Sequence, residues 1–437
     1  MMRFMAVLAS VKRRLHYGWA IFGLTFTNLT VEGGSKNTQA VFLVALQNSF
    51  MSSATATSAI FSVGGLVGAF STPILGRLLD RMGPRFLFPI AGALILAGWL
   101  ASSFATELWH LFIFYSVIAT LGQTALSSFS ATANLAPWFP RTRGGMLGLA
   151  DAGNPAGQAI FTPLAQVMVS TIGWRSAYQI LGVVFFILVG PINYLFQRRP
   201  PLQNISIEEG QAGAAAILAA EPSSEGQREV SGASGGVSDP MTLREILKRP
   251  SVWLLLLTRA ANSTASQMTQ LHMVAFFILA GYGELQAAVT IGLVGLLSIG
   301  GRPIFGSLSD FIGRETTYAV GLGMTVGSIV VVLLFGNGSS LWPLALFVAL
   351  AGLSDGVSGL VVGAKAADLF PSNTLGTVMG VVEVGRGVGI ALGPILGGLL
   401  FDLQGDYLVA FSLAAGLTFA AICFMWAVRF TTGEARY

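Results

Sequence analysis

Apolar runs of about twenty residues recur along most of the chain, the length a helix needs to cross a hydrocarbon core about 30 Å thick. In lipid each backbone polar group must be satisfied within its own segment, so such runs fold as helices. Charge is correspondingly scarce: 24 Lys+Arg and 20 Asp+Glu in 437 residues make 10% of the chain, where a soluble protein carries about 25%. A water-soluble globule could not cover its surface with so few. Disorder and an ordinary cytosolic enzyme are thereby excluded. A net charge of +4 is also too thin and scattered for a nucleic-acid surface. The single cysteine, Cys423, excludes an internal disulfide framework and a cysteine-based metal site. No metal or cofactor is expected.

Residues 201–250 interrupt the apolar pattern with Pro200-Pro201, a run rich in Ala, Gly, Ser and Glu, and Asp239-Pro240, and read as a flexible linker. The remaining 360 or so residues, at about 30 per span and loop, give twelve helices, six on each side of the linker. They are expected near 17–44, 55–77, 86–105, 108–136, 144–170, 175–197, 251–279, 285–306, 316–336, 340–364, 375–401 and 405–429, and are numbered spans 1 to 12. The expected organisation is a tail at 1–16, an amino-terminal bundle at 17–200, the linker, a carboxyl-terminal bundle at 251–430 and a tail at 431–437. Thr242 and Glu245 have capping-box spacing and open a short interfacial helix that Pro250 ends.

An even span count puts both termini on one side. Arg3, Lys12, Arg13 and Arg14 precede span 1; Arg77, Arg81 and Arg85 follow span 2; Arg141 and Arg143 follow span 4; Arg198, Arg199, Lys248 and Arg249 flank the linker. The opposite loops hold only Arg175. By the positive-inside rule the termini and linker are expected in the cytoplasm of a multi-pass cell-membrane protein. The first apolar stretch is too long for a cleavable signal, so an uncleaved protein is expected.

The two halves repeat. Pro73-Ile-Leu-Gly-Arg-Leu-Leu-Asp80-Arg-Met-Gly83 after span 2 matches Pro303-Ile-Phe-Gly-Ser-Leu-Ser-Asp310-Phe-Ile-Gly313 after span 8, at an offset of 230 residues. Trp138-Phe-Pro140 matches Leu369-Phe-Pro371 before spans 5 and 11. Two six-helix bundles related by an axis along the membrane normal follow, an arrangement common in secondary transporters. A duplicated structural membrane protein is the plainer reading of the same repeat.

Gly76-Arg-Leu-Leu-Asp80-Arg81-Met-Gly83-Pro84-Arg85 resembles the signature loop between helices 2 and 3 of the major facilitator superfamily. The twelve-span layout with a long middle loop extends that resemblance over the whole chain. It implies an all-α fold of two six-helix bundles, with Asp80 bonded to the amino end of a neighbouring helix and the arginines facing lipid phosphates and nearby carboxylates as a cytoplasmic gate. An orienting role alone is the alternative for Arg81 and Arg85. The second copy keeps Asp310 and Arg314 but has Ser307 in place of Arg77. Within the superfamily, His16-Tyr-Gly-Trp19, Gly173-Trp174-Arg175-Ser-Ala-Tyr178 and Gly301-Arg302-Pro303 resemble the monocarboxylate transporters and oxalate/formate antiporters. Two features depart from that branch: the acid before the Gly-Trp pair is absent, and Ser298 stands where animal carriers place an acid four residues before the span 8 arginine.

An ionisable group inside a span costs about 2.5–3.5 kcal/mol on insertion scales, so each one marks a cavity or a partner. The spans hold Glu32, Lys36, Asp151, Arg259, His272, Arg302, Asp355, Glu383 and Arg386. Arg302 faces back to Thr72 in the first repeat and Arg386 to Asn154, so the carboxyl half has two cations where its partner has neutral groups. A guanidinium gives a carboxylate paired hydrogen bonds and stays ionised when desolvated. Arg302 and Arg386, with Lys36, His272 and Asn154, are therefore the candidate ligands of a small organic anion at mid-membrane. No acid on span 8 lies within helical reach of Arg302, whereas Glu383–Arg386 and Glu32–Lys36 have pair spacing and also read as neutralised bridges. Lys36 matches the span 1 lysine of monocarboxylate carriers, Arg386 a lysine of the oxalate-type antiporters, and His272 a span 7 histidine of related bacterial carriers. His272 also reads as a packed, hydrogen-bonded side chain. Arg259, eight residues into span 7, is expected to snorkel. Glu383, Asp151, Glu32 and Asp355 are the proton-coupling or gate candidates, since burial raises a carboxyl pKa toward neutrality.

Glycine makes up 54 of the residues, about 12% against the usual ~7%, and clusters in spans 5 and 11 with Pro155, Pro163 and Pro394, allowing close packing and sliding. The reading is a monomeric secondary transporter of a monocarboxylate-like anion by alternating access with proton symport, or else an anion exchanger. A sensor on a carrier fold is the remaining alternative. No phosphate-binding Gly-rich loop with Lys-Ser/Thr and no intramembrane Ser/His or His-Glu-x-x-His pattern is present, so neither a primary pump nor a hydrolase is expected.

Overall fold

The computed structural model describes residues 2–139, 142–198, 243–370 and 372–431, and these are helical with no strand among them. Most of the expected linker, the segment after residue 431, and both Pro140 and Pro371 of the repeated tripeptides lie outside the described residues. The short helix before span 7 is present as Leu243–Leu247.

Nine stretches among the described residues are long and apolar enough to cross a membrane. One of them, Gly145–Phe196, contains spans 5 and 6, separated at Gly173, whose φ of +81° turns the backbone between them. Only a residue without a Cβ adopts that conformation cheaply. Spans 1 and 7 complete the set of twelve. Span 7, Pro250–Leu279, is long enough but carries Arg259, Asn262, Ser263, Thr264, Ser266 and His272, which lower its hydropathy.

Several helices differ from the expected ranges. Helix Met2–Asn37 starts well before residue 17, because nothing from 2 to 16 is Gly or Pro, and it resumes after Thr38 as Gln39–Phe50. Span 4 is interrupted by a π-helical stretch, Phe114–Ala119. Span 10 is two helices, Trp342–Ser354 and Val357–Leu369, joined through Asp355-Gly356. The other spans are Ala54–Met82, Pro84–Ser103, Glu284–Phe311, Arg314–Phe335, Ser372–Gln404 and Leu408–Thr431.

Within the amino bundle, span 1 lies along span 5 and span 3 along span 6; within the carboxyl bundle, span 7 lies along spans 11 and 12. Glycines make the closest approaches possible: Gly157 faces the Thr30 backbone and Gly393 the Thr264 backbone, where a methyl would collide. Between bundles, span 2 meets span 11, and span 5 meets span 8.

The two interiors differ. The amino bundle is filled by aromatic rings, with buried Trp99 set edge-on to Tyr178 at 5.0 Å and to Phe185 at 5.2 Å, and Phe42 stacked on Tyr178 at 4.1 Å. Its largest apolar cluster runs from Leu79 and Leu87 at the end bearing the repeated loops to Leu111 and Trp174 at the opposite end. The carboxyl bundle has two apolar clusters, one around Phe277, Phe347 and Phe411 and one around Tyr318, Val361 and Met425.

Candidate substrate site

The ionisable groups of the spans other than His272 fall into three clusters, one of which joins the two bundles. In the first, Glu32 is buried in span 1 and uses both carboxylate oxygens: Lys36, one turn on, donates to Oε1, and Asn154 of span 5 donates to Oε2. The spacing of four residues is what lets the two span 1 side chains meet.

The second cluster centres on Arg302. Span 8 has no acid within a turn of it, but other helices supply two: Nη1 donates to Asp151 Oδ2 of span 5, in the other bundle, and Nη2 donates to Asp355 Oδ2 of span 10 at 3.2 Å. Helical spacing cannot register these partners, because both sit on other helices. Asp151 also accepts from Ser128 Oγ at 2.9 Å. The break in span 10 makes room for the guanidinium. Gly356 has φ +84°, and a Cβ there would lie 2.8 Å from Arg302 Nε.

In the third cluster Arg259 donates from Nη2 and Nε to Glu383 Oε1 at 2.7 and 3.1 Å, while Arg386 Nη1 lies 3.5 Å from Glu383 Oε2. Arg259 thus does not snorkel; its side chain is only 12% exposed because Glu383 meets it from span 11. Arg386, by contrast, is 52% exposed and is the most open of these arginines. Arg302 and Arg386 share no acidic partner among the described residues and belong to separate clusters.

His272 is fully buried away from these groups. Its Nε2 lies 3.0 Å from the Pro394 carbonyl and 3.3 Å from Ser58 Oγ, and its Nδ1 lies 3.2 Å from the Tyr407 hydroxyl. Both of its ring nitrogens are engaged, tying span 7 to spans 2, 11 and 12. Nearby, Asp402 at the end of span 11 accepts from Ala54 N and Thr55 N at 2.8 Å and from Thr55 Oγ1 at 2.6 Å. A carboxylate of one bundle therefore caps the first turn of a helix in the other. Gln166 donates to Glu284 at 2.8 Å at the same end.

At the repeated loops, Arg314 binds Asp310 at 2.6 Å, Ser309 at 2.6 Å and Asp368 at 3.1 Å. In the first copy, Asp80 is exposed beside Gly76 and Gly83 and makes no hydrogen bond to a described residue; the amino ends of spans 5 and 11 fall partly outside the described residues. Arg81 lies exposed on the same turn. Arg85 donates from Nε to the Tyr194 carbonyl at 3.1 Å and lies over the Tyr194 ring. Sequence reasoning missed Asp402, Asp368, Ser128 and the pair Lys365–Glu315, whose side chains meet at 2.9 Å. Lys365 and Asp402 each fall one residue past the expected end of a span.

A cavity of about 160 Å³ leads from the bundle interface, at Gln158 and Gln270, into the carboxyl bundle. Asp355 is its one charged lining residue, and lies between the cavity and Arg302.

Two six-helix bundles with charge-paired groups in their spans are the architecture of a membrane transporter. The chain belongs to the major facilitator superfamily: the model of the Major Facilitator Superfamily matches residues 23–347 and 301–436. It is related to the monocarboxylate transporters. Monocarboxylate transporter 13 of Bos taurus is 25% identical over 404 residues, covering 92% of this chain and 87% of that protein. Monocarboxylate transporter 11 of Homo sapiens is 26% identical over 410 residues, covering 92% and 80%. The crystal structure of a bacterial homologue of the human lysosomal transporter Spinster, inward-facing and unoccupied, shares the fold at a TM-score of 0.72 and 14% identity, covering 96% of this chain and 98% of that one.

Proposed function

We propose that the chain is a secondary carrier of a small, monocarboxylate-like organic anion, working by alternating access with proton symport. The observation that carries this reading is Arg302, held at the bundle interface by one carboxylate from each bundle. A substrate carboxylate takes the place of Asp151 on Arg302. The released Asp151 then lacks a counter-charge, which is costly at this depth. A proton that neutralises it keeps the site electrically balanced, so one anion and one proton cross together. Glu383, Glu32 and Asp355 are the other groups within reach of this role. Arg386, the most open arginine, guides the anion in, and Lys36 adds a second cation across the interface.

The protein is placed in the cell membrane as a monomer with both termini cytoplasmic, the repeated loops at Gly76–Arg85 and Asp310–Arg314 lying on that side as gate elements. In that orientation the Asp402 contacts hold the outer end shut.

Replacing Arg302 by Gln abolishes carboxylate uptake without lowering the amount of protein in the membrane; retained uptake would sink the proposal. Anion exchange is the second reading, favoured by the fact that all four carboxylates already hold a cation. Acidifying the outside of substrate-free vesicles accelerates uptake under symport, whereas dependence on internal anion with indifference to pH marks exchange.

A further inference from the structure

The carboxyl bundle has polar side chains around a cavity, whereas the buried amides Asn28, Asn134, Asn193 and Gln197 of the amino bundle are hydrogen-bonded to neighbouring side chains. Asn262 and Ser266 of span 7, Thr325 and Ser328 of span 9, Ser354 of span 10 and Thr418 of span 12 all line this cavity. Its 160 Å³ is well above the ~10–15 Å³ that a cavity needs to hold one water.

Uncharged polar side chains at membrane depth cost free energy unless something answers them. Some here answer one another: Thr325 and Ser354 hydroxyls lie 2.9 Å apart, and Thr418 donates to the Ala414 carbonyl at 2.8 Å. Asn262 does not. It is only 8% exposed, and its amide, with two donors and an acceptor, has no hydrogen-bond partner among the described residues. Ser266, one turn on, is likewise unpartnered among them and faces the same space.

The cavity is also joined to the anion-binding cluster. Asp355, its one charged lining residue, accepts from Arg302 at 3.2 Å, and Ser358 on its wall lies 3.5 Å from Arg259 Nη1. A molecule whose carboxylate sits on Arg302 therefore extends its other end among hydroxyls and amides, with Val294, Ile329 and Phe347 against its carbon chain.

We propose that this cavity is the specificity pocket for a polyhydroxylated small carboxylate, its hydroxyls answering Asn262, Ser266 and Ser328. This rests on the anion-carrier reading and adds the substrate class. A short aliphatic acid would leave the buried Asn262 amide unpaired, the situation that gives polar sites their strongest discrimination, whereas Ser328 already donates to the Thr325 carbonyl at 2.7 Å and has only its acceptor capacity to offer.

The test is a thermal-shift titration of the purified full-length chain with two six-carbon probes, gluconate and hexanoate. Wild-type protein is expected to bind gluconate at least tenfold more tightly than hexanoate. Asn262→Leu and Ser328→Ala are each expected to reduce that ratio by fivefold or more without weakening hexanoate. Equal affinities in the wild type, a preference for hexanoate, or a ratio unmoved in folded variants would overturn the pocket. Should neither variant fold, the wild-type ratio decides alone. Hexanoate binding without gluconate binding defeats this inference and spares the anion carrier; binding of neither, with no uptake of any carboxylate, defeats both.

Discussion

Arg259, Arg302, Arg386 and Lys36 are matched within the spans by Glu383, Asp151, Asp355 and Glu32, and each cation reaches at least one of these acids. Charge at this depth is stable only as pairs, and removing one member strands the other. Arg259→Met leaves Glu383 without its 2.7 Å partner and is expected to destabilise the protein by about 1–3 kcal/mol, below the ~3–5 kcal/mol of fully buried pairs because Glu383 is partly exposed. Adding Glu383→Gln should restore most of the loss in a thermal melt. No recovery in the double variant would show that Arg259 acts through packing instead. The type of these residues was legible in the sequence because charge is so rare there. Their pairing was legible only within a helix: Lys36 with Glu32 follows from spacing, whereas Arg302 with Asp151 joins residues 151 positions apart on different bundles.

Helices long enough to span a membrane are visible as apolar runs, but where they bend is set by local backbone geometry. Span 10 reads as one continuous run, yet it breaks at Asp355-Gly356. The signal was present in the Ser354-Asp355-Gly356 sequence, since Gly with φ +84° cannot continue a helix, but its purpose depends on Arg302 lying across the break. Gly356→Ala is expected to cost about 1–3 kcal/mol in stability and to weaken anion binding, because its Cβ meets Arg302 Nε at 2.8 Å. Gly173→Ala has the same backbone penalty but open space around it, so it should lower stability by about 1–2 kcal/mol and leave binding unchanged. Equal binding by both variants would remove the link between the span 10 break and the arginine. Span ends are the least legible part: a boundary one residue short hid both Lys365 and Asp402, and with them an ion pair and an inter-bundle cap.

The repeat and the twelve spans identify the whole molecule from sequence, yet which bundle contacts hold it in one state depends on groups from distant parts of the chain. At the end opposite the repeated loops, Asp402 caps span 2 and His272 bridges Ser58 to the Pro394 carbonyl, tying the two bundles together. Asp402→Asn weakens charge-assisted bonds of about 1.5–3 kcal/mol, enough for roughly a tenfold shift toward opening at that end. Distances between spin labels on spans 2 and 11, in a Cys423→Ser background, should lengthen in a larger fraction of molecules; an unchanged distribution would mean that Asp402 does not hold the ends together. The central claim, an anion carried on Arg302 with a proton passed to Asp151, meets its most direct test in proteoliposomes by recording carboxylate uptake and internal pH together. The account predicts acidification in step with uptake by the wild-type protein, no uptake with Arg302→Gln, and uptake without acidification with Asp151→Asn. Uptake by Arg302→Gln, or acidification undiminished in Asp151→Asn, would contradict it.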